Sequence, residues 1–340
     1  MHFAVIGIDH RHVYDLIGGL LEAGATCAGF DPETTDPRVA AGVAERFPHL
    51  RSVERNRLLD DPAVDIVVSA AVPRARAGIA IEAMRRGKDV MVDKPGITTF
   101  EQLAAVRRAV DETNRIFSIC FSERFLTPAS TLATRLVADG AIGRVIHMTG
   151  LGPHRLNRAI RPAWFFDPDN YGGILVDIAS HQIDQFLFYT SSTDAQIVSS
   201  SVGHFGAPDI PAFQDFGDVL MRSDNAAGYV RVDWFTADGL PTWGDGRLTI
   251  LGTEGTLELR KYVDIAGRPG KDHVFLVDGK GTRHFDASGE RIDYFDRFLA
   301  DVRDRSETVM TQEHVFTVSR LALEAQASAV VLTGQERKSR

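Results

Sequence analysis

The sequence predicts an α/β chain in two parts. A doubly wound parallel sheet comes first, followed by an α+β domain built on a large, open, mostly antiparallel sheet. Three observations predict it. Apolar strand-like runs alternate with helical-period segments through residues 3–121. Beyond residue 123 the pattern changes to a helix-rich stretch and then to a series of short strands separated by turn signals. One of the early strands ends in Asp93-Lys94-Pro95, a charged pair and a chain breaker on an otherwise apolar run.

Residues 3–7 are an apolar strand. Residues 12–22 carry Val13, Leu16, Ile17 and Leu20 at helical spacing. Residues 25–30 form the second strand, ending at Asp31-Pro32, and 37–47 the next helix. Residues 64–71 are continuously apolar, as a strand covered on both faces must be. A helix over 76–86 closes at Gly87, a strand spans 89–92, and a helix over 99–111 opens on Thr99 as its cap. A strand at 116–121 completes the alternation. This β-α order reads as a Rossmann-type sheet with right-handed crossovers, and places the domains at 1–122 and 123–340.

In the second part, 127–139 is helical and 144–151 a strand. Residues 173–189 read as one long helix. Strands follow at 195–204, 213–221, 226–235, 247–251, 256–259 and 273–277, with turns such as Gly244-Asp245-Gly246 between them. Helices at 292–302 and 312–331 finish the chain.

Composition narrows the function. The 340 residues suffice for two cored domains, and 44% hydrophobic with 25% charged content is that of a globular chain. A net charge of -8 argues against nucleic acid as a partner. No apolar run approaches the ~20 residues of a spanning helix, so no membrane role is expected. The N-terminus enters a strand without a signal-peptide pattern, and Cys27 and Cys120 sit in apolar runs. Both point to a cytoplasmic protein with reduced thiols.

Lysine is costly to bury without a partner. At the carboxyl end of a parallel strand, Lys94 points into the crevice where such sheets bind ligands; the alternative is a surface lysine in a tight turn. The first strand-helix turn, Gly7-Ile8-Asp9-His10-Arg11-His12, should then meet a diphosphate. It keeps only the first of the three expected glycines. Asp9 stands at the second, where it opposes a diphosphate unless Arg11 or a histidine offsets it, and His12 at the third. Asp31 ends the second strand, where a carboxylate accepts ribose hydroxyls and disfavours a 2′-phosphate, which favours NAD over NADP. Ala71, Asp93, Lys94 and Pro95 complete the expected cofactor-binding set.

Asp177, His181 and Asp184 are spaced i, i+4, i+7 on the expected long helix and so share one face. A carboxylate one turn from an imidazole orients it and raises its basicity, as a general base for alcohol oxidation requires. Chelation by Asp177 and His181 is the weaker reading because no third ligand is placed, and no metal is expected. Gly152-Pro153-His154-Arg155 and Trp164-Phe165-Phe166 combine an aromatic platform with His and Arg, which suits a polyhydroxylated ring. Arg124, just past the last strand of the first part, lies at the domain junction within reach of cofactor or substrate.

The succession Gly87 to Pro95, Arg124-Phe125, Gly140 to Gly143, Gly172 to His181 and Leu251 to Gly255 resembles the Gfo/Idh/MocA family, the glucose–fructose oxidoreductase and inositol dehydrogenase group. Two departures stand out: Asp93 where the family has Glu, and the depleted glycine turn. The resemblance implies an NAD(P)-dependent oxidoreductase of sugars, cyclitols or polyols. Lys94 would lie between nicotinamide and substrate, His181 would take the hydroxyl proton, and Asp177 would bind substrate or orient His181. It also implies a homodimer or homotetramer formed through the C-terminal sheet. Two rivals share the fold: a glycosidase that uses tightly held NAD, and a non-catalytic sugar or dinucleotide sensor.

Overall fold

The computed structural model describes residues 1–333. Strands β1 (His2–Ile8), β2 (Thr26–Phe30), β3 (Ile66–Ala70), β4 (Asp89–Asp93) and β5 (Phe117–Cys120) pair in the order β2-β1-β3-β4-β5. Every ladder is parallel. Helices α1 (Val13–Glu22), α2 (Pro37–Arg46), α3 (Arg55–Asp60), α4 (Pro73–Arg85) and α5 (Phe100–Thr113) make the connections. All residues of β3 and β4 are buried, which is why they read as unbroken apolar runs. α1 buries Val13, Leu16, Ile17 and Leu20, the predicted stripe. α3 was not predicted: six residues are too few to show a period, and its cap is Glu54, whose carboxylate accepts the Asn56 and Arg57 amides.

The chain then enters α6 (Ser122–Phe125), α7 (Pro128–Ala138) and β6 (Val145–Pro153). Two 3₁₀ turns, Arg158–Ile160 and Ala163–Phe166, lead to α8 (Pro168–Tyr171), α9 (Ile174–Asp177) and α10 (Ala179–Tyr189). The strands that follow are β7 (Gln196–His204), β8 (Phe216–Arg222), β9 (Ala227–Asp233), β10 (Arg247–Gly252), β11 (Gly255–Arg260), β12 (His273–Asp278) and β13 (Gly281–Asp286). After α11 (Tyr294–Asp304) and α12 (Gln312–Ser328), β14 (Val330–Thr333) closes a nine-stranded sheet of order β13-β12-β11-β10-β6-β9-β8-β7-β14. It is mostly antiparallel; β6–β9 and β7–β14 are parallel. α10 and α12 cover one face. Gly150 lets α10 approach, since a Cβ there would meet Gln182 Cγ at 2.7 Å. The opposite face is open, with Val198, Leu251 and Val277 exposed.

The fold class is the predicted one, and, beyond the short helices, three regions differ. The helix predicted over 173–189 is two helices that break at Ile178. The carbonyl of Asp177 accepts the Lys94 ammonium at 3.1 Å, so the His181 amide turns to the Ile178 carbonyl at 3.1 Å instead. The helix predicted over 312–331 stops at Ser328; Ala329 is extended, and Val330, Val331 and Leu332 pair along β7. β13 was not predicted because its residues are mostly exposed and show no apolar alternation.

α11 and α12 return to the first sheet. Gly19 of α1 lies against Phe295 of α11, and Arg305 pairs with Asp89 Oδ1 at 2.8 Å. The Gln312 amide pairs with both backbone groups of Phe117 at 3.0 and 3.1 Å, which caps the edge strand β5. Deeper in the seam, Arg124 of α6 makes a two-pronged bond to Asp184 of α10, Nε–Oδ2 at 2.7 Å and Nη2–Oδ1 at 2.6 Å. His314 adds Nε2–Oδ1 at 2.8 Å. Truncating one partner of such a pair leaves a buried, uncompensated charge. Asp184→Ala is therefore expected to cost about 3–5 kcal/mol in urea unfolding, and a loss below about 1 kcal/mol would refute this account of the seam.

Candidate active site

β4 ends at Asp93 and delivers Lys94 to the carboxyl edge of the first sheet, opposite α9. The Lys94 ammonium donates to Asp177 Oδ1 at 3.0 Å and to the Asp177 carbonyl at 3.1 Å. Both side chains are largely buried, so the pair acts in a low-dielectric seam. Burial alone would raise the pKa of Asp177; the neighbouring Lys94 outweighs it and holds the carboxyl below its ordinary value.

Arg76 of α4 fixes the turn from behind. Its Nε donates to the Ala71 carbonyl at 2.7 Å, and Nη1 to the carbonyls of Asp93, Lys94 and Pro95 at 2.9, 2.5 and 3.1 Å. Its Nη2 also lies 3.1 Å from Asp93 Oδ2, close enough for an ion pair but off the hydrogen-bond line. The sequence offers no sign of this role, because one arginine on an amphipathic helix looks like any other. Asp93 further meets His12 Nδ1 at 3.0 Å and His10 Nδ1 at 3.5 Å. Burial favours its neutral form, but His12 and Arg76 outweigh that and hold the carboxyl well below the usual range.

These groups line a cleft of about 1150 Å³ between the two sheets, with His10, Lys94, His154, Trp164 and Asp177 on its walls. His154 Nδ1 lies 3.0 Å from the Gly152 carbonyl. A carbonyl only accepts, so Nδ1 carries the proton and Nε2 keeps its lone pair. Trp234 and Trp243 pack on the ring at centroid distances of 5.2 and 4.6 Å. Burial lowers the pKa of His154 to about 4. Arg161 also lines the cleft, stacked over Phe165 and Trp234.

The remaining residues of the expected site are placed as follows. His181 is buried next to the cleft, close enough to Lys94 and His154 to feel their charges and edge-on to Phe121, with Nδ1 without a hydrogen-bond partner; burial lowers its pKa to about 3. Ile178 interrupts the helix between it and Asp177, while its own backbone stays in the right-handed helical region at φ -102 and ψ -47. Asp184 is in the seam with Arg124, and the structure does not bring Arg124 to the cleft: Asp184 and the Phe125 and Phe188 rings occupy its guanidinium. A residue that sequence reasoning missed, Glu123, accepts from Lys261 Nζ at 2.9 Å and Gln182 Nε2 at 3.0 Å, and this pairing with Lys261 overrides burial to hold it at about 2.

The nucleotide side is less conventional. Gly7 has φ +81, and a Cβ there would come within 2.4 Å of Ala71 Cβ, so only glycine fits. Asp9 does not face the cleft. Its Oδ1 accepts from Thr34 Oγ1 at 3.1 Å, the Thr35 amide at 2.5 Å and Thr35 Oγ1 at 2.7 Å; its Oδ2 accepts from the Val72 amide at 3.1 Å. The amides of Asp9 and His10 both donate to the Ala70 carbonyl, next to Ile8. Val13 and Tyr14 amides close turns onto the carbonyls of His10 and Arg11. Few amides of this turn are left for a diphosphate, while the side chains of His10, Arg11 and His12 line the cleft. Asp31 is buried at the end of β2, accepts from the Glu33 amide at 3.3 Å, and has its pKa raised by burial. Residues at the nicotinamide end thus fit a dinucleotide; the glycine turn fits one only through side chains.

Two family models match the chain. The oxidoreductase family with an NAD-binding Rossmann fold matches residues 33–121, and the GFO/IDH/MocA C-terminal domain matches 131–258. The first match begins beyond the altered glycine turn. A protein of Erwinia carotovora atroseptica SCRI1043, whose oxidoreductase label is itself provisional, is 43% identical. It covers 98% of this chain and 99% of its own, with a TM-score of 0.94. The scyllo-inositol 2-dehydrogenase (NAD(+)) of Bacillus subtilis is 27% identical over 82% of this chain and 77% of its own. Levoglucosan dehydrogenase of Pseudarthrobacter phenanthrenivorans is 35% identical over 44% of this chain and 39% of its own.

The two imidazoles His154 and His181 carry a pH signature. Their native pKa values lie below the ordinary ~6.5 of an unfolded histidine. Below that value the unfolded chain binds protons that the native chain does not, so stability is highest above it and falls as pH drops. From about pH 7 to about pH 5 the two together are expected to cost about 2–4 kcal/mol. Urea melts across that range test this, and an unchanged stability would contradict it.

Proposed function

The chain belongs to the Gfo/Idh/MocA family of oxidoreductases, and from that premise we propose that it oxidises a hydroxyl of a sugar, cyclitol or related polyol, with NAD as hydride acceptor. The observation that carries this reading is the Lys94–Asp177 pair at the bottom of a cleft whose walls bear His154 and Trp164. Lys94, Asp93 and Pro95 at the end of β4 would hold the nicotinamide, which would supply the hydride-accepting carbon. The chain's own residues do the rest. Lys94 holds the substrate oxygen and stabilises its developing negative charge. Asp177 keeps the lysine aimed. A neutral imidazole takes the hydroxyl proton, and His181 is the residue proposed for it, with Lys94 at the oxygen. His154 is the second imidazole able to act, because its Nε2 has a free lone pair and faces the cleft.

Trp164 suits the C–H face of a ring, while Arg161 and His154 can bond its hydroxyls. The names of the B. subtilis and P. phenanthrenivorans relatives support a cyclitol or sugar as the substrate class. NAD is favoured over NADP by Asp31 at the end of β2, where a carboxylate opposes a 2′-phosphate, and by the NAD(+) in the first relative's name. The open face of the nine-stranded sheet, with Val198, Leu251 and Val277 exposed, is the proposed contact of a homodimer or homotetramer.

The test is NADH absorbance on mixing the protein with NAD and a panel of polyols and sugars. Lys94→Met is expected to lower kcat by about 10²–10⁴-fold while thermal unfolding still shows a folded protein. Turnover of no substrate in the panel, or an undiminished Lys94→Met enzyme, would refute the proposal. His181→Gln and His154→Gln then identify the proton acceptor: the variant that loses kcat with KM little changed marks it.

A further inference from the structure

The turn that lost its glycines gained two histidines, and both face the carboxylate that ends β4. Among the described residues, His10, His12 and Asp93 are the one set of three His, Cys, Asp or Glu side chains whose ligand atoms all lie within 4.8 Å of one another. His12 Nδ1 is 3.0 Å from Asp93 Oδ1, and His10 Nδ1 is 3.5 Å from Asp93 Oδ2. Bonds of ~2.0–2.2 Å to a tetrahedral ion set neighbouring ligand atoms about 3.4 Å apart. The three side chains come from the turn after β1 and from the end of β4, strands separated by β3, so the sheet holds the two at this spacing.

A hydrogen-bond reading leaves a residue of discomfort. The His12 amide donates to His10 Nδ1 at 3.4 Å, which requires a lone pair on that nitrogen. Asp93 Oδ2 lies 3.5 Å from the same nitrogen, is buried, and has no hydrogen bond, only the misaligned Arg76 contact. A cation between this nitrogen and Oδ2 would take a lone pair from each, with the long 3.4 Å amide contact given up.

We propose that His10, His12 and Asp93 form a binding site for a divalent transition-metal ion of the zinc type, open to the cleft on its remaining side. Two imidazoles and one carboxylate are a donor set for zinc, cobalt or ferrous iron rather than for magnesium or calcium. His10, His12, Asp93, Lys94 and Asp177 all line the one cleft, so the open positions face the same space as Lys94. The Arg76 and Asp93 charges cancel, which leaves the ion's charge to be met from the cleft. The fourth ligand is therefore an anionic oxygen, such as hydroxide, a carboxylate or a phosphate oxygen. The site does not depend on the dehydrogenase reading, since it needs no nucleotide.

The full-length protein, stripped with a chelator, is titrated with Co²⁺ alone while visible absorption is followed, and with Zn²⁺ alone by calorimetry. One ion per chain is expected, with the d–d bands of a nitrogen- and oxygen-ligated four- or five-coordinate cobalt. His12→Ala removes a partly exposed side chain and is expected to weaken binding at least tenfold with an unchanged circular dichroism spectrum. His10→Ala is expected to do the same. A second histidine pair, His273 Nδ1 to His284 Nε2 at 3.0 Å on the β12–β13 hairpin, is the control. The proposal is overturned if the native protein shows no such bands and no stoichiometric heat, if both turn variants bind as the native protein does, or if His284→Ala is the variant that loses the ion. Dinucleotide binding, measured separately, bears on the dehydrogenase reading and not on this one.

Discussion

The cross-domain contact from Lys94 to Asp177 sets the geometry of everything around it. A lysine at the end of a fully buried strand must find acceptors, because an unpaired ammonium there would forgo hydration without compensation. Lys94 takes both the carboxylate and the main-chain carbonyl of one residue. The His181 amide bonds the Ile178 carbonyl rather than that of Asp177, and the helix breaks at the next residue. α10 starts afresh at Ala179, and that new start faces Gln182 and Gln185 toward Glu123 and Lys261 and sends Asp184 to Arg124. Arg76, which holds three successive carbonyls of the strand end, keeps the lysine from drifting.

The N-terminal turn obeys a different constraint. A carboxylate among backbone amides needs donors, and Asp9 finds four of them in the Thr34-Thr35 loop and at Val72. The side chain that takes the place of a glycine therefore joins two loops across the top of the sheet. What the turn gives up in accessible amides it replaces with His10, Arg11 and His12 side chains on the cleft wall. A diphosphate at this turn would meet side-chain charge and imidazole in place of oriented backbone dipoles.

Much of this was legible in the residues. The parallel sheet could be read because β3 and β4 are buried on both faces and so are apolar throughout, and α1 because its stripe repeats at 3.6 residues. Lys94 and Asp177 could be read because charged residues in apolar runs are rare. The helix break could not, because it is caused by a side chain 83 positions away, and local periodicity continues straight through Ile178. Arg124 was misplaced for the same reason: its partner Asp184 was read as a third member of a polar face, and only the seam shows that the two satisfy each other. Arg76 carries no local mark at all, since its five contacts are to backbone carbonyls and one carboxylate that any sequence would supply.

An ammonium has three N–H donors. Asp177 occupies two of those on Lys94 and leaves one for a ligand oxygen. The two occupied directions are fixed by a carboxylate and a carbonyl of the same residue, so tetrahedral geometry fixes the third as well. A rotating lysine would lose that direction; this one is held by Arg76 behind it and Asp177 beside it. The specificity of the cleft then divides cleanly. In the proposed dehydrogenase reading, the lysine sets where one oxygen sits, and Trp164, His154 and Arg161 on the same cleft set which ring presents it. On that reading the wall residues can vary without touching the pair, whereas the pair itself ties the end of β4 to α9 across the seam.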